Sequence, residues 1–226
     1  MNEAISRRIM RLCHFTPSRN LVHIAGDRTG VLATKHLTAD ERKVFTQTDL
    51  KRLDGHGGHI CCSVEYPNGW YFAKARASEV LFQDWVVLLI QPHYLWADGT
   101  LFCARNAAAG YGAELRGGTD AFMGLFADCT RGAYGKSFRR GASHLDCSPT
   151  DDQAEVLVED RIELSDICGI GVCSDAQARN EVARLRLASV PATGIPFVVA
   201  PDLFNKDRLS AMIRKGVRPE EHLWHD

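Results

Sequence analysis

The sequence predicts an α+β domain. Strand-like segments outnumber long helical ones, and their order is not the regular βαβ alternation of a doubly wound sheet. The clearest strand is "WVVLLIQP" (85–92), a branched apolar run that reads as buried. "CGIGVC" is no dinucleotide fingerprint, because it lacks the third glycine and the helix start that would follow it.

Each element has a local reason. "RIMRLCHF" (8–15) reads as a first strand, although Ile5, Ile9 and Leu12 also fit a helix face. In "TPSRNLVHIAG", Thr16 suits an N-cap, Pro17 the first helical position and Gly26 the stop, so a short helix is expected at about 17–25. Residues 31–54 read as loop and short helix. "HICCSVEY" (59–66) is a strand, and "PNGWYFAKA" is a turn into a short helix. "TLFCA" (100–104) is a strand, and the glycine-rich stretch 106–122 is loop. Residues 130–150, rich in Arg, Gly and Ser, read as a long exposed loop. "AEVLVED", "ICGIGVC" and "IPFVVA" are strands. "SDAQARNEVARLRLASV" opens on a Ser174…Gln177 capping box, with Val182 and Leu185 on one face. "NKDRLSAMIRKG" is a capped helix stopped by Gly216.

The bulk numbers set limits. With 226 residues, 45% of them hydrophobic, the chain can build one substantial core, so residues 1–226 are expected to form a single domain. A net charge of −1 does not indicate a globally basic nucleic-acid binder and leaves a local basic patch open. The longest apolar run, "WVVLLI", is too short to span a membrane, and the N-terminal segment mixes charge into its apolar residues. No membrane association and a cytoplasmic location are expected. The eight cysteines sit mostly in apolar contexts and read as reduced core residues. "HGGHICC" offers His56, His59, Cys61 and Cys62, but Cys61 and Cys62 would point to opposite faces of a strand, so no metal is expected.

Several places hold polar groups in tight contexts. His14 ends a strand, Thr16 begins the next element and Asn20 lies in its first turns; a helix start there would favour an anion, while the plain reading is a cap and a satisfied core histidine. Thr119 and Asp120 follow two glycines, as a site or as an ordinary turn. Gln153 and Glu155 are two apart, so on a strand they share a face, turned either to a ligand or to solvent. Tyr66, Trp70, Tyr71 and Phe72 cluster; core packing suits Phe72 better than Tyr71, which could stack on a flat ring.

Taken in order, these pieces resemble the DarT family of toxin nucleic-acid ADP-ribosyltransferases. "HFTPSRNL" resembles its opening H-x-T-x-x-x-N-L, with His14, Thr16, Asn20 and Leu21 in place. "ICCSVEYPNGWYF", "GTDAF" and "DDQAEVLVEDRIELSDICGIGV" resemble its later segments, over roughly residues 12–173. The resemblance implies an ADP-ribosyltransferase-like fold: two small packed β-sheets with flanking helices and NAD in the cleft between them. It implies transfer of ADP-ribose from NAD to a base of single-stranded DNA by a toxin or phage-defence effector, with RNA or a protein acceptor as alternatives and a cognate antitoxin as partner. Glu155 matches the catalytic glutamate, His14 the residue that holds the adenosine-side ribose, and Asn20 a cofactor contact. Arg52 is the candidate for the functional arginine, with Arg42 in reserve. Thr16, Tyr71 and Gln153 join the expected cofactor set. Departures lie in "ICCSVEY", where the family has "YVPFYF", and in residues 93–145. Residues 190–226 have no clear counterpart and read as a C-terminal extension.

The chemistry follows. Breaking the nicotinamide–ribose bond develops positive charge on the ribose, which a carboxylate stabilises. Glu155 has that chemistry, and it can take a proton from an attacking base nitrogen within reach. Arg52 suits a diphosphate. Single-stranded substrate avoids the cost of unstacking a base. On the acceptor side, "TRGAYGKSFRRGASH" offers Arg131, Lys136, Arg139 and Arg140 with Tyr134 and Phe138 interleaved, and Thr119 and Asp120 are further substrate-contact candidates.

Overall fold

The computed structural model describes residues 1–38, 52–79, 82–132, 135–190 and 194–225. In chain order its strands are β1 (Leu12–Pro17), β2 (Val31–Leu32), β3 (His59–Val64), β4 (Trp85–Ile90), β5 (Leu101–Cys103), β6 (Arg116–Gly117), β7 (Cys129–Arg131), β8 (Ser137–Arg139), β9 (Glu155–Glu159), β10 (Arg161–Ile162), β11 (Ile167–Val172), β12 (Phe197–Val199) and β13 (His222–Leu223). The helices are α1 (Asn2–Ser6), α2 (Gly69–Ser78), α3 (Thr119–Gly124), α4 (Asp175–Leu187) and α5 (Lys206–Arg214).

Among the described residues nine strands run in the order β13-β12-β11-β4-β1-β3-β9-β5-β6. β4 lies between β1 and β11, and all six of its residues are buried, as its unbroken apolar run requires. Leu12, Val64, Leu88, Ile90 and Val156 meet in the main core; full burial of each such side chain contributes about 1.5–3 kcal/mol. β1 pairs with β4 along its whole length, from Leu12↔Ile90 to Pro17↔Trp85. Its pairing with β3 stops after Leu12↔Val64 and Cys13↔Ser63. The two sheets that the resemblance implies are therefore continuous through a two-residue ladder, beyond which β1 and β3 are no longer paired.

Local expectations fare unevenly. β4, β9, β11, β12 and the helices α2, α4 and α5 lie where the sequence puts them. Ser174 caps α4 by accepting from the Gln177 amide, but the Gln177 side chain accepts from Cys173 N–H, one residue before the cap. The expected helix at 17–25 is a 3-10 turn (Ser18–Asn20) followed by a wide turn (Val22–Gly26). Thr16 is not its cap: β4 holds the chain extended through Pro17, and the Thr16 hydroxyl accepts from the Asn20 side chain at 2.8 Å. The loop of 106–122 contains β6 and the start of α3, and that of 130–150 contains most of the hairpin β7–β8. Cys129, Cys168 and Cys173 are exposed, against the expectation of core cysteines.

The segment read from the sequence as a C-terminal extension adds two strands to the sheet. β12 pairs parallel with β11, and β13 pairs with β12. α5 packs on α2, where a Cβ on Gly69 would lie 3.2 Å from the Lys206 Cα. Ion pairs from Arg11 to Glu221 and from Arg218 to the buried Glu65 tie this tail to the region of β1 and β3.

Candidate active site

A cleft opens where β1 and β3 part. His14, Thr16 and Asn20 line one side, and Cys61, Ser63 and Glu155 lie on the other. Val31, Leu32 and Ala33 close an edge that depends on the short ribbon β2–β10. Gly30 is required there: its φ is +67°, and a Cβ would lie 2.1 Å from the Ile162 carbonyl oxygen.

Glu155 is the first residue of β9, buried on the cleft side. Its Oε1 accepts from Asn106 Nδ2 at 2.9 Å and its Oε2 from the Ala107 amide at 3.1 Å. Asn106 also caps the 3-10 turn Ala107–Gly110 by accepting from Ala109 N. One short turn thus fixes both carboxylate oxygens. Burial, and then the neighbouring Glu155 carboxylate, push the Cys61 thiol well up, which leaves it inert.

His14 stands on β1 where the ladder to β3 has ended. Its Nδ1 lies 2.8 Å from the Cys61 carbonyl oxygen, which can only accept, so Nδ1 carries the hydrogen. Burial holds the ring's pKa below the ordinary histidine value, with the Arg52 charge adding in the same direction against the Cys61 bond. The imidazole is therefore neutral near pH 7, and Nε2 is an acceptor suited to a hydroxyl. Thr16 shares the His14 face of β1, two residues on.

Arg52 lines the cleft, with its backbone in the left-handed region at φ +37°. Its guanidinium is held by the buried Asp54 carboxylate, at 3.2 Å from Nε and 3.0 Å from Nη2, and by the carbonyls of His59 (2.8 Å) and His56. The cation expected to meet a diphosphate is also the clamp of its own loop. Arg42 lies outside the described residues.

Tyr71 lines the cleft from the first turn of α2, its ring 5.9 Å from that of Phe15. Phe72, beside it, is core, as the sequence indicates. Asn68 caps α2 by accepting from Tyr71 N, and it too lines the cleft.

Other expected residues lie elsewhere. Gln153 precedes β9 in a turn in which its amide donates to Asp151 Oδ1, so it does not share a strand face with Glu155 and does not line the cleft. Thr119 and Asp120 start α3 on the exposed surface, away from the cleft lining. Arg131, Lys136 and Arg139 are exposed on or beside the hairpin β7–β8. Arg140 turns inward, donating to the Ser148 and Leu145 carbonyls. Tyr134 lies outside the described residues. Asn106, Asn68 and Asp54 were not anticipated; each asparagine stands before a helical turn, and that cap signal is the only local mark it leaves.

The fold and this cleft define an ADP-ribosyltransferase-like protein. The chain matches, over residues 13–205, the family model described as ssDNA thymidine ADP-ribosyltransferase, DarT, and it belongs to the DarT family. Among solved structures it is similar to Thermosipho africanus DarTG in complex with ADP-ribose (TM-score 0.58, 13% identity, 86% of this chain and 51% of that one). It is also similar to Thermus sp. 2.9 DarT in complex with ADP-ribosylated ssDNA (0.55, 13%, 87% and 97%) and with carba-NAD+ (0.51, 14%, 80% and 90%). It thus spans about half of the Thermosipho chain. No curated protein matches. Among the described residues no helix is long and apolar enough to cross a membrane, and no cluster of His, Cys, Asp and Glu is arranged to hold a metal.

Proposed function

We propose that this protein transfers ADP-ribose from NAD to a base of single-stranded DNA, thymidine first, and releases nicotinamide. The observation that carries the proposal is the fixed carboxylate of Glu155, held through both oxygens in a cleft that also presents a neutral His14. Family membership supplies the reaction class. Glu155 stabilises the positive charge that develops on the ribose and takes the proton from the attacking base nitrogen. His14 Nε2 accepts from a ribose hydroxyl, Arg52 faces the diphosphate, and Thr16, Asn20 and Tyr71 complete the donor site. The exposed cations Arg131, Lys136 and Arg139 hold the acceptor backbone. A toxin role with a cognate antitoxin is part of this reading.

Incubation with NAD labelled on the adenylate, and with single- and double-stranded oligonucleotides of each base in DNA and RNA form, tests it. Label on thymidine-containing single-stranded DNA is the expected result. Label confined to protein, or to RNA, overturns the acceptor assignment.

A further inference from the structure

Asn68 has a bond it does not make. Its side chain is 2% exposed, its Oδ1 accepts from Tyr71 N at 3.0 Å and its backbone N–H donates to Ser63 Oγ at 3.0 Å. Its Nδ2 has no partner among the described residues. Turning the amide over would aim its NH2 at the Tyr71 N–H, so the cap settles which end is oxygen. Buried polar groups in folded proteins are nearly always paired, and an unpaired donor on a residue that lines the cleft calls for an acceptor from outside the chain.

The register says which end of the cleft this donor occupies. β3 and β9 pair from His59↔Glu159 to Cys62↔Val156, and Ser63 and Glu155, the next residue on each strand beyond that last pair, both line the cleft. Ser63 is the residue that Asn68 bonds. The donor therefore stands at the Glu155 end, where the glycosidic bond of NAD breaks under the reading above. Tyr71, capped by the same side chain, offers a flat ring at that end.

We infer that the Asn68 side-chain amide donates to the carboxamide oxygen of NAD's nicotinamide, with the nicotinamide ring against Tyr71. This rests on the NAD reading. The bond fixes rotation of the leaving group about its long axis. It makes Asn68 a determinant of selectivity for nicotinamide over rings that lack a carbonyl.

Calorimetric titration of NAD and of ADP-ribose, which lacks nicotinamide, into the wild-type chain and Asn68→Ser tests the inference. Serine keeps an N-cap acceptor for Tyr71 but withdraws the donor. The expected result is about tenfold weaker NAD binding, the loss of one hydrogen bond, with ADP-ribose unchanged. Should Asn68→Ser fold poorly, Asn68→Asp keeps the cap and removes the donor. The probe is then the 3-acetylpyridine analogue of NAD, whose side group only accepts; the variant is expected to bind it at least about tenfold more weakly than the wild type does, with ADP-ribose binding unchanged. NAD and ADP-ribose binding both unchanged, or both weakened alike, would overturn the assignment and leave Asn68 to a water molecule or to the cap alone. A wild-type chain that binds neither ligand overturns the NAD reading itself, which is a separate result.

Discussion

Asn106 Nδ2 donates to Glu155 Oε1 across 2.9 Å, joining two residues 49 positions apart in the chain. With the Ala107 amide on Oε2, this bond sets the direction in which the carboxylate faces the cleft. Asn106→Ala is expected to lower kcat by about ten- to a hundredfold while the Kd for NAD changes little, because orientation is lost and binding is not. Asn106→Asp, which sets a second carboxylate against the first, is expected to be worse. Single-turnover rates and NAD titrations on the same preparations check the split.

Arg52 and Asp54 form a largely buried pair, their side chains 15% and 3% exposed. Arg52→Ala leaves the Asp54 carboxylate without its cation and is expected to cost about 3 kcal/mol of stability. Urea denaturation measures it. An unchanged midpoint would show that Arg52 serves the ligand and not its own loop.

Asp151 is buried at 1% exposure beneath the hairpin β7–β8, its Oδ2 without a partner among the described residues and 3.2 Å from where a Cβ on Gly132 would sit. Burial pushes its pKa up to about 6 from 3.8, outweighing the Gln153 amide that lowers it. The folded state thus binds this proton more tightly than the unfolded state does. Its contribution to stability is fully present below pH 3.8 and is lost as pH rises through 6. Relative to Asp151→Asn, the wild-type protein is expected to gain about 2–3 kcal/mol between pH 8 and pH 4. Denaturation midpoints for the pair across that range check it; a constant difference contradicts it.

The hairpin cations divide. Arg131→Glu, Lys136→Glu and Arg139→Glu are each expected to raise the KM for the oligonucleotide and to flatten its salt dependence, with NAD binding unchanged. Arg140→Ala is expected to lower Tm instead, because its guanidinium is committed to the Ser148 and Leu145 carbonyls and lies over the Phe126 ring. Salt-dependent kinetics and thermal melts separate the two behaviours.

Much of this was legible where physics is local. The run at Trp85–Ile90 can only be a buried strand, and Ser174, Asn205 and Gly216 mark helix ends through their own backbone preferences. Reading failed where a distant partner decides. Thr16 looks like a cap until β4 is known to hold it extended. Gln153 looks like a neighbour of Glu155 on a strand, but Asp151 accepts its amide and bends the chain just before β9; the Asp-Asp-Gln run carried that turn signal. His14 and Glu155 were placed by resemblance and not by pattern. Their surroundings, from the Cys61 carbonyl to the turn at Asn106, exist only once β1 and β3 have parted.

The central claim is that Glu155 drives transfer of ADP-ribose onto a DNA base. The most direct test is the mass spectrum of a single-stranded oligonucleotide bearing one thymidine, after incubation with NAD and either the wild-type protein or Glu155→Gln. The account predicts one added ADP-ribose for the wild type, matched by released nicotinamide, and none for the variant at an unchanged Tm. Nicotinamide released with no gain in oligonucleotide mass, or transfer undiminished in Glu155→Gln, would contradict it.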